Sequence, residues 1–194
     1  FMFACASRLK KTVHPPHADP QTRFAVLFPA YREDNVIKES IGAFMKSDYP
    51  SELYEIVVIS DGMLEETNTY LTSLGIQILY PTYNKRSKAA ALRCAVSQLD
   101  SARFDAVVIM DADNIIKSDF LKRLNNTFVQ GTHAVQTQRI AKNNETTTAF
   151  LDGISEEINN AIFRLGHINL GLPSALIGSG MAFDFDWFAN KIKL

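Results

Sequence analysis

Cysteine is scarce in this chain: Cys5 and Cys94 are the only two among 194 residues. They lie far apart with no metal-ligand spacing, so they read as reduced thiols in a cytosolic setting and give no disulfide framework. The four histidines, His14, His17, His133 and His167, likewise show no ligand spacing. Charge of one sign is also missing. A formal net charge of -1 leaves no electrostatic footprint for nucleic acid, and no basic stripe stands out. The apolar run Phe1–Ala6 is far too short to span a bilayer. No G-x-G-x-x-G follows the first predicted strand, which excludes a dinucleotide-dependent oxidoreductase of that type. Internal repeats and low-complexity segments are absent as well.

With 46% hydrophobic residues, the chain has enough apolar content for one full-sized core. Residues 1–22 read as an apolar and basic tail followed by a proline-containing linker (Pro15, Pro16, Pro20), and residues 23–194 as one domain. Arg8, Lys10 and Lys11 follow the apolar start, the order expected at the cytoplasmic exit of a membrane helix. From Arg23 onward apolar runs alternate with helical patterns. Strands are predicted over Phe24–Phe28, Ile56–Ile59, Ile76–Tyr80 and Ala106–Met110. Helices are predicted over Glu33–Met45, Leu64–Leu74, Lys88–Leu99 and Phe120–Val129, the last capped by Ser118. This βαβα rhythm predicts a parallel sheet with covering helices and right-handed crossovers. After Gly131 a further strand is predicted over His133–Ile140. A long amphipathic helix then carries Leu151, Ile154, Ile158, Ile162 and Leu165, with Glu156, Glu157, Asn159 and Asn160 on its wet face. A bent strand over Ala175–Phe183 follows.

The most informative stretch is Phe104–Asn114, where a buried-strand pattern ends in Asp111-Ala112-Asp113. In extended geometry residues two apart face the same side, so both carboxylates can meet one divalent cation, which relieves their repulsion and brings a diphosphate with it. The carboxyl ends of strands are where open α/β sheets bind ligands. Asp61 closes another apolar run and precedes Gly62; it reads either as a turn residue or as an acceptor for a base N–H or ribose hydroxyls. Pro29 marks the exit of the first strand and Tyr31 can stack on a base. Glu33 and Asp34 suit a helix amino terminus, with Glu33 also a donor-side candidate. Ser87 is a plausible N-cap, and Lys88 opposes the helix dipole unless an anion binds there; the alternative is a solvated basic turn. Gly178-Ser179-Gly180 permits close approach of backbone to a ligand, or serves as a packing bend. Gln136, Gln138 and Arg139 are low-specificity candidates on the fifth strand.

Pro29-Ala30-Tyr31, Val57–Gly62, Ser87–Leu92, Met110–Asp113 and Gly178–Gly180, in this order, resemble the inverting family 2 glycosyltransferases. The run Leu151–Asn160 looks like a membrane-tethered bacterial branch of that family. The resemblance implies a Rossmann-like, mostly parallel sheet with helices on both faces, of the glycosyltransferase A type and incomplete at the C-terminus. It also implies a nucleoside-diphosphate sugar donor, with a UDP-sugar favoured, and inverting transfer to the hydroxyl of a glycan or lipid-linked acceptor. On this analogy Asp61 binds base or ribose with help from Pro29 and Tyr31, and Lys88 lies near the nucleotide. Asp111 contacts ribose or sugar and shares a Mg²⁺ or Mn²⁺ with Asp113, while Gly178, Ser179 and Gly180 border the acceptor. Flanking helices would place the protein at the cytoplasmic face of a membrane.

The sequence departs from the family pattern after Gly180. The family's acidic base, usually in a Glu-Asp pair, and a later Arg-Trp motif do not appear before Leu194; Asp184 and Asp186 come too soon after the glycines. Donor binding with little transfer is therefore expected of this polypeptide. Two rivals compete. A sugar-phosphate nucleotidyltransferase would open with a Gly-rich, Arg-containing loop where Pro29-Ala30-Tyr31 stands. A non-catalytic nucleotide-sensing or assembly module would bind nucleotide without the metal.

Overall fold

The computed structural model describes residues 2–9, 15–138, 140, 147–172, 174 and 176–192; Lys10, Lys11, His14, Arg139 and Ala175 lie outside the described residues. In chain order the elements are α1 (Met2–Ala6), β1 (Phe24–Tyr31), α2 (Ile37–Met45), β2 (Tyr54–Asp61), α3 (Glu65–Ser73), β3 (Gln77–Leu79), α4 (Lys88–Gln98), β4 (Ala106–Ile109), α5 (Phe120–Phe128) and β5 (Ala134–Gln136). They are followed by α6 (Thr147–Ile158), a π-helical stretch (Asn159–Leu165), α7 (Gly166–Asn169), β6 (Met181–Asp184) and α8 (Phe185–Lys191). Two compact units form: Pro15–Val135 with Met181–Leu194, and Phe1–His14 with Gln136–Gly180.

The sheet runs β3-β2-β1-β4-β6-β5. β1 pairs in parallel with both β2 and β4, and β2 with β3, whereas β6 is antiparallel to β4. The continuous apolar runs follow from burial on both faces. Phe24, Val26, Phe28 and Ala30 of β1 pack with Ile56, Val58, Ala106 and Val108 against α2, α3 and α5. Ala25 and Leu27, with Val57, Ile59, Val107 and Ile109, pack against α4 and α8 through Leu92, Ala95, Phe185 and Phe188. Helices therefore cover both faces, and the sheet is mostly parallel.

β1 continues through Pro29 to Tyr31, where the sequence suggested an exit at Pro29. The Leu27 carbonyl accepts from Met110 N at 3.0 Å, so Leu27 faces β4. Pro29, two residues on, faces the same side, beyond the last β1–β4 pair at Leu27 and Ile109. Its missing N–H therefore forfeits no ladder bond. Further on, α5 has Asp119, not Ser118, at its N-cap, and no side chain caps it. Asp119 pairs instead with Arg123 at 2.7 Å, and the Ser118 carbonyl accepts from Asp48 N at 2.8 Å. The fifth strand is only Ala134–Gln136, much shorter than the predicted His133–Ile140.

Two polar groups hold the entry to β1. Asn125 is 1% exposed. Its Oδ1 accepts from Thr22 N at 3.0 Å and Thr22 Oγ1 at 2.9 Å, and its Nδ2 donates to Asp19 O at 3.0 Å. Tyr49 closes the cluster by donating to the Thr22 carbonyl at 2.9 Å, and burial pushes its phenol up to about 12. At the start of the β1–β4 pair, Arg23 forks onto Asp105: Nε meets Oδ2 at 3.0 Å and Nη2 meets Oδ1 at 2.7 Å. The hydrogen bond from Arg23 holds the Asp105 carboxyl below its usual range.

In the other unit, α6, the π-helical stretch and α7 follow one another without a break. The predicted helix is present, but Leu151, Ile154, Ile158 and Leu165 are exposed, so the apolar stripe is not its buried face. Asn160, expected on the wet side, is buried and bonds Arg164, which also pairs with Glu156 at 3.0 Å. The π register accommodates this inward polar contact. Gly166 is required by close approach, since a Cβ there would lie 2.4 Å from the Phe3 carbonyl oxygen. The Phe3 ring stacks on His167 at 4.2 Å, which ties the N-terminal segment, read from sequence as a tail, to α7. Gln136 braces the glycine segment, donating to Ser179 O at 3.0 Å and accepting from Ile177 N at 3.0 Å. Gly180 has φ +62, and a Cβ there would meet Thr137 Oγ1 at 2.5 Å, so packing alone demands glycine at this position. The bent strand predicted from Ala175 begins only at Met181.

Replacing Asn125 with Ala strands the Thr22 N–H and neighbouring donors; urea denaturation should show a loss of about 2–4 kcal/mol, and a loss under about 1 kcal/mol would contradict the role. Asp105 has a depressed folded value, so its contribution is present above the unfolded carboxylate range and disappears as pH falls through the folded value. Asp105→Asn should therefore flatten the acid limb of stability below about pH 4 while leaving its shape near neutrality unchanged. An acid limb identical to that of the unmodified chain would refute this.

Candidate nucleotide-binding site

The parallel pairing of β1, β2, β3 and β4 puts their carboxyl ends along one edge of the sheet. Tyr31 is the last residue of β1 and pairs in register with Asp61, the last residue of β2. Arg32 extends that ladder by donating its N–H to the Asp61 carbonyl at 3.2 Å. Its φ of 56 puts it in the left-handed region, the only positive φ outside glycine among the described residues. Asp34 fixes the adjacent loop: its Oδ1 accepts from Leu64 N at 2.9 Å, at the start of α3. Burial works against the Asp34 carboxylate, but hydrogen bonds from Thr67 and the Leu64 backbone hold its carboxyl below the usual range. Glu33 is exposed, and its carbonyl accepts from Val36 N and Ile37 N at the start of α2.

Asp61 is the most enclosed carboxylate on this edge, with a side-chain exposure of 15%. Two groups from the loop between β3 and α4 reach its Oδ2: the Tyr83 hydroxyl donates to it, and Arg86 Nε lies 2.9 Å away. Desolvation, then the hydrogen bond and charge of Asp61, raise the Tyr83 phenol above its ordinary value. The Arg86 guanidinium also lies 4.4 Å from the Tyr31 ring centroid, and that of Arg32 lies 5.3 Å from it. An aromatic face, an acceptor and two cations are thus gathered at the tips of β1 and β2.

Lys88 opens α4. Ser87 caps that helix, accepting from Ala90 N at 3.1 Å, as expected. Lys88 is not a solvated cation opposed to the helix dipole: its Nζ pairs with Asp111 Oδ1 across the edge. Both partners are more than a third exposed, so the pair is worth roughly 0–1 kcal/mol, and a ligand with its own charges can take either partner at little cost.

The Asp111–Asp113 triplet does not extend β4. The strand ends at Ile109, and Asp111–Asn114 form a turn in which Asn114 N donates to Asp111 O at 3.1 Å. Asn114 is the cause: its Oδ1 accepts from Asp111 N at 3.3 Å, and its Nδ2 donates to Asp113 Oδ1 at 3.1 Å. The buried Ala112 anchors the turn, its carbonyl accepting from Ser40 Oγ at 2.7 Å. Same-side placement by strand alternation therefore does not apply to this triplet. Among the described residues no group of three or more Asp, Glu, His or Cys side chains is placed to hold a metal. Two partly or fully exposed carboxylates still match the oxygen chemistry of Mg²⁺ or Mn²⁺, which commonly take one or two carboxylates and fill their shell with phosphate and water.

A cleft of about 780 Å³ lies elsewhere, between α4 and α8, and meets this edge only at Thr82 and Tyr83. The carboxylate edge itself is an open surface, and it carries the charged chemistry. Gly178, Ser179 and Gly180 belong to the other unit, and Gln136 is occupied in bracing them. Tyr83 and Arg86 are absent from the sequence-derived candidates. Their one sequence signal is that the segment follows β3 and so starts from the same edge.

This architecture, a mostly parallel sheet with helices on both faces and acidic and aromatic groups at its carboxyl edge, is that of an α/β protein of the glycosyltransferase A type. Residues 20–184 match the family model described as glycosyltransferase-like family 2, and the chain belongs to that family. It is 24% identical over 104 residues to poly(ribitol-phosphate) β-N-acetylglucosaminyltransferase TarS of Staphylococcus aureus, covering 52% of this chain and 18% of that protein. It is 25% identical over 99 residues to the probable glycosyltransferase YdaM of Bacillus subtilis, covering 47% and 23%. Among solved structures, the mannosyltransferase PcManGT from Pyrobaculum calidifontis, in complex with GDP-Man and Mn²⁺, superposes with a TM-score of 0.72 at 20% identity over 97% of this chain and 52% of that one. Glucosyl-3-phosphoglycerate synthase from Mycobacterium tuberculosis, in complex with Mn²⁺, UDP and phosphoglyceric acid, gives 0.54 at 18% identity over 85% and 56%. The chain thus spans about half the length of these structural relatives and about a fifth of the curated ones.

Proposed function

We propose that this chain is the donor-binding part of an inverting glycosyltransferase that uses a nucleoside-diphosphate sugar, a UDP-sugar in preference, with Mg²⁺ or Mn²⁺. The observation that carries the reading is the convergence of Asp61 with Tyr31 and of Asp111 with Lys88 along one carboxyl edge of a parallel sheet. Tyr31 and Asp61 take the base and ribose, with Pro29 setting the path of β1 beneath them. Lys88, at the capped start of α4, draws the diphosphate, for which a helix start is suited. Asp111 and Asp113 hold the cation. When bound, the metal stabilises charge growing on the leaving diphosphate. Because the Lys88–Asp111 pair is weak, donor and metal can divide it between them without a large penalty.

The acceptor in this reading is a glycan or lipid-linked hydroxyl, and the site of action is the cytoplasmic face of a membrane. Support comes from the order of residues, an apolar run and then Arg8, Lys10 and Lys11. Among the described residues no helix is long and apolar enough to cross a membrane.

Calorimetry of UDP-glucose and UDP-N-acetylglucosamine with and without Mn²⁺, on this chain and on Asp113→Asn, tests the proposal. Binding should require Mn²⁺ and weaken by at least about tenfold in the variant, since the cation that would hold the diphosphate loses one of its two carboxylates. Equal binding with and without the metal would instead favour a nucleotide-sensing module.

A further inference from the structure

More than half of the exposed large apolar side chains among the described residues belong to the unit built on α1, α6, the π-helical stretch and α7, which holds under a third of the chain. Leu151, Ile154, Ile158 and Phe163 follow one another along its outer side, and Phe163 is 54% exposed. Steps of three and four carry this stripe through α6, and the step of five from Ile158 to Phe163 fits one turn of π register. The polar side chains turn the other way. Glu156 pairs with Arg164, which donates to the buried Asn160, so the ionic network lies inward and the aliphatic stripe outward. A helix facing water has the reverse arrangement. We propose that this unit docks on a lipid monolayer, with Leu151, Ile154, Ile158 and Phe163 in the acyl region and Arg8 among the headgroups. This deepens the membrane placement above and rests on it: the contact surface is part of the fold itself and needs no spanning helix.

Composition favours acyl chains over another protein. Protein interfaces are enriched in aromatic residues, Met and Arg, and their energetic centres are poor in Leu. The stripe is aliphatic apart from Phe163, and the exposed Ile168, Leu170 and Leu172 extend the same chemistry beyond it. Charge supplies the second argument. Arg8 is exposed in the turn that closes α1, and Lys10 and Lys11 follow it in the sequence. α1 is fixed to α7 by the Phe3–His167 stack and by Asn169 Nδ2, which donates to Ala6 O at 2.9 Å, so Arg8 belongs to the same body as the stripe. Over Phe1–His14 and Gln136–Gly180 the sequence holds six Lys and Arg against four Asp and Glu, Glu157 being the exposed anion that flanks the stripe. The unit is therefore modestly cationic, and cations beside an apolar face suit anionic headgroups.

The test is flotation of the full chain with vesicles of phosphatidylcholine alone and of phosphatidylcholine with phosphatidylglycerol. The chain should bind both, at least about threefold tighter where the anionic lipid is present. Ile158→Ser combined with Phe163→Ser, two changes on the exposed side, should weaken binding at least about tenfold while circular dichroism stays unchanged. Phe163→Trp reads the contact directly, whether or not the double variant folds: its emission should shift to the blue when vesicles are added. An unshifted emission overturns the inference, as does an unmodified chain that binds neither vesicle or a folded double variant that binds as well as the unmodified chain. A dimer in light scattering that the double variant dissolves, from a chain that ignores vesicles, overturns it in favour of a second copy. Calorimetry of UDP with Mn²⁺ on the same preparation keeps the two readings apart. Nucleotide binding without vesicle binding sinks this inference alone, and vesicle binding without nucleotide binding sinks the donor reading alone.

Discussion

The parallel register of β1, β2 and β4 is the constraint on which the site depends. Phe24 lies level with Tyr54 on one side and Ala106 on the other, so three chain segments far apart in sequence end along a common edge. Burial of β1 on both faces fixes this register, because a slip of one residue would exchange Phe24, Val26 and Phe28 with Ala25 and Leu27 between two differently shaped cores. Tyr31 and Asp61 become neighbours as a consequence of core packing. The Arg23–Asp105 fork and the Asn125 cluster then secure the opposite end of the same strands, away from the binding edge.

The edge itself divides into two electrostatic regimes. At β2, Asp61 is enclosed and doubly engaged, an environment that fixes the direction of a carboxylate before any ligand arrives. Past the end of β4, Asp111 is more exposed, and its Oδ1 makes a weak surface pair with Lys88. A rigid acceptor suits recognition of a planar base, whose donors have fixed directions. On the reading proposed above, a loosely held carboxylate suits a cation that enters with the donor. The asymmetry follows from local structure: Asp61 is the last residue of a strand, whereas Asp111 begins a turn set by Asn114.

Much of this was legible in the sequence where burial alone dictates pattern. The apolar runs of β1, β2 and β4 read correctly because parallel strands are covered on both faces, and Ser87 read correctly as a cap because capping is local. The failures are non-local. Pro29 looked like a strand end, but β4 stops early enough that its missing N–H is immaterial. The triplet Asp111–Asp113 looked extended, yet the next residue, Asn114, folds it into a turn. The stripe from Leu151 to Leu165 has the spacing of a buried face, but Leu151, Ile154, Ile158 and Leu165 are exposed and Ile162 is half-buried, while Asn160 turns inward to Arg164. The contacts of Tyr83 and Arg86 with Asp61 were not legible, because Asp61 lies more than 20 residues earlier and only the fold brings them together.

The most direct test is a crystal structure of this chain with UDP and Mn²⁺ bound. The base should lie against Tyr31 with its ring N–H on Asp61, and the manganese should bridge the diphosphate to Asp111 and Asp113. Nucleotide seated instead in the cleft between α4 and α8, with Asp61 and Asp111 untouched, would contradict the assignment of this edge as the donor site.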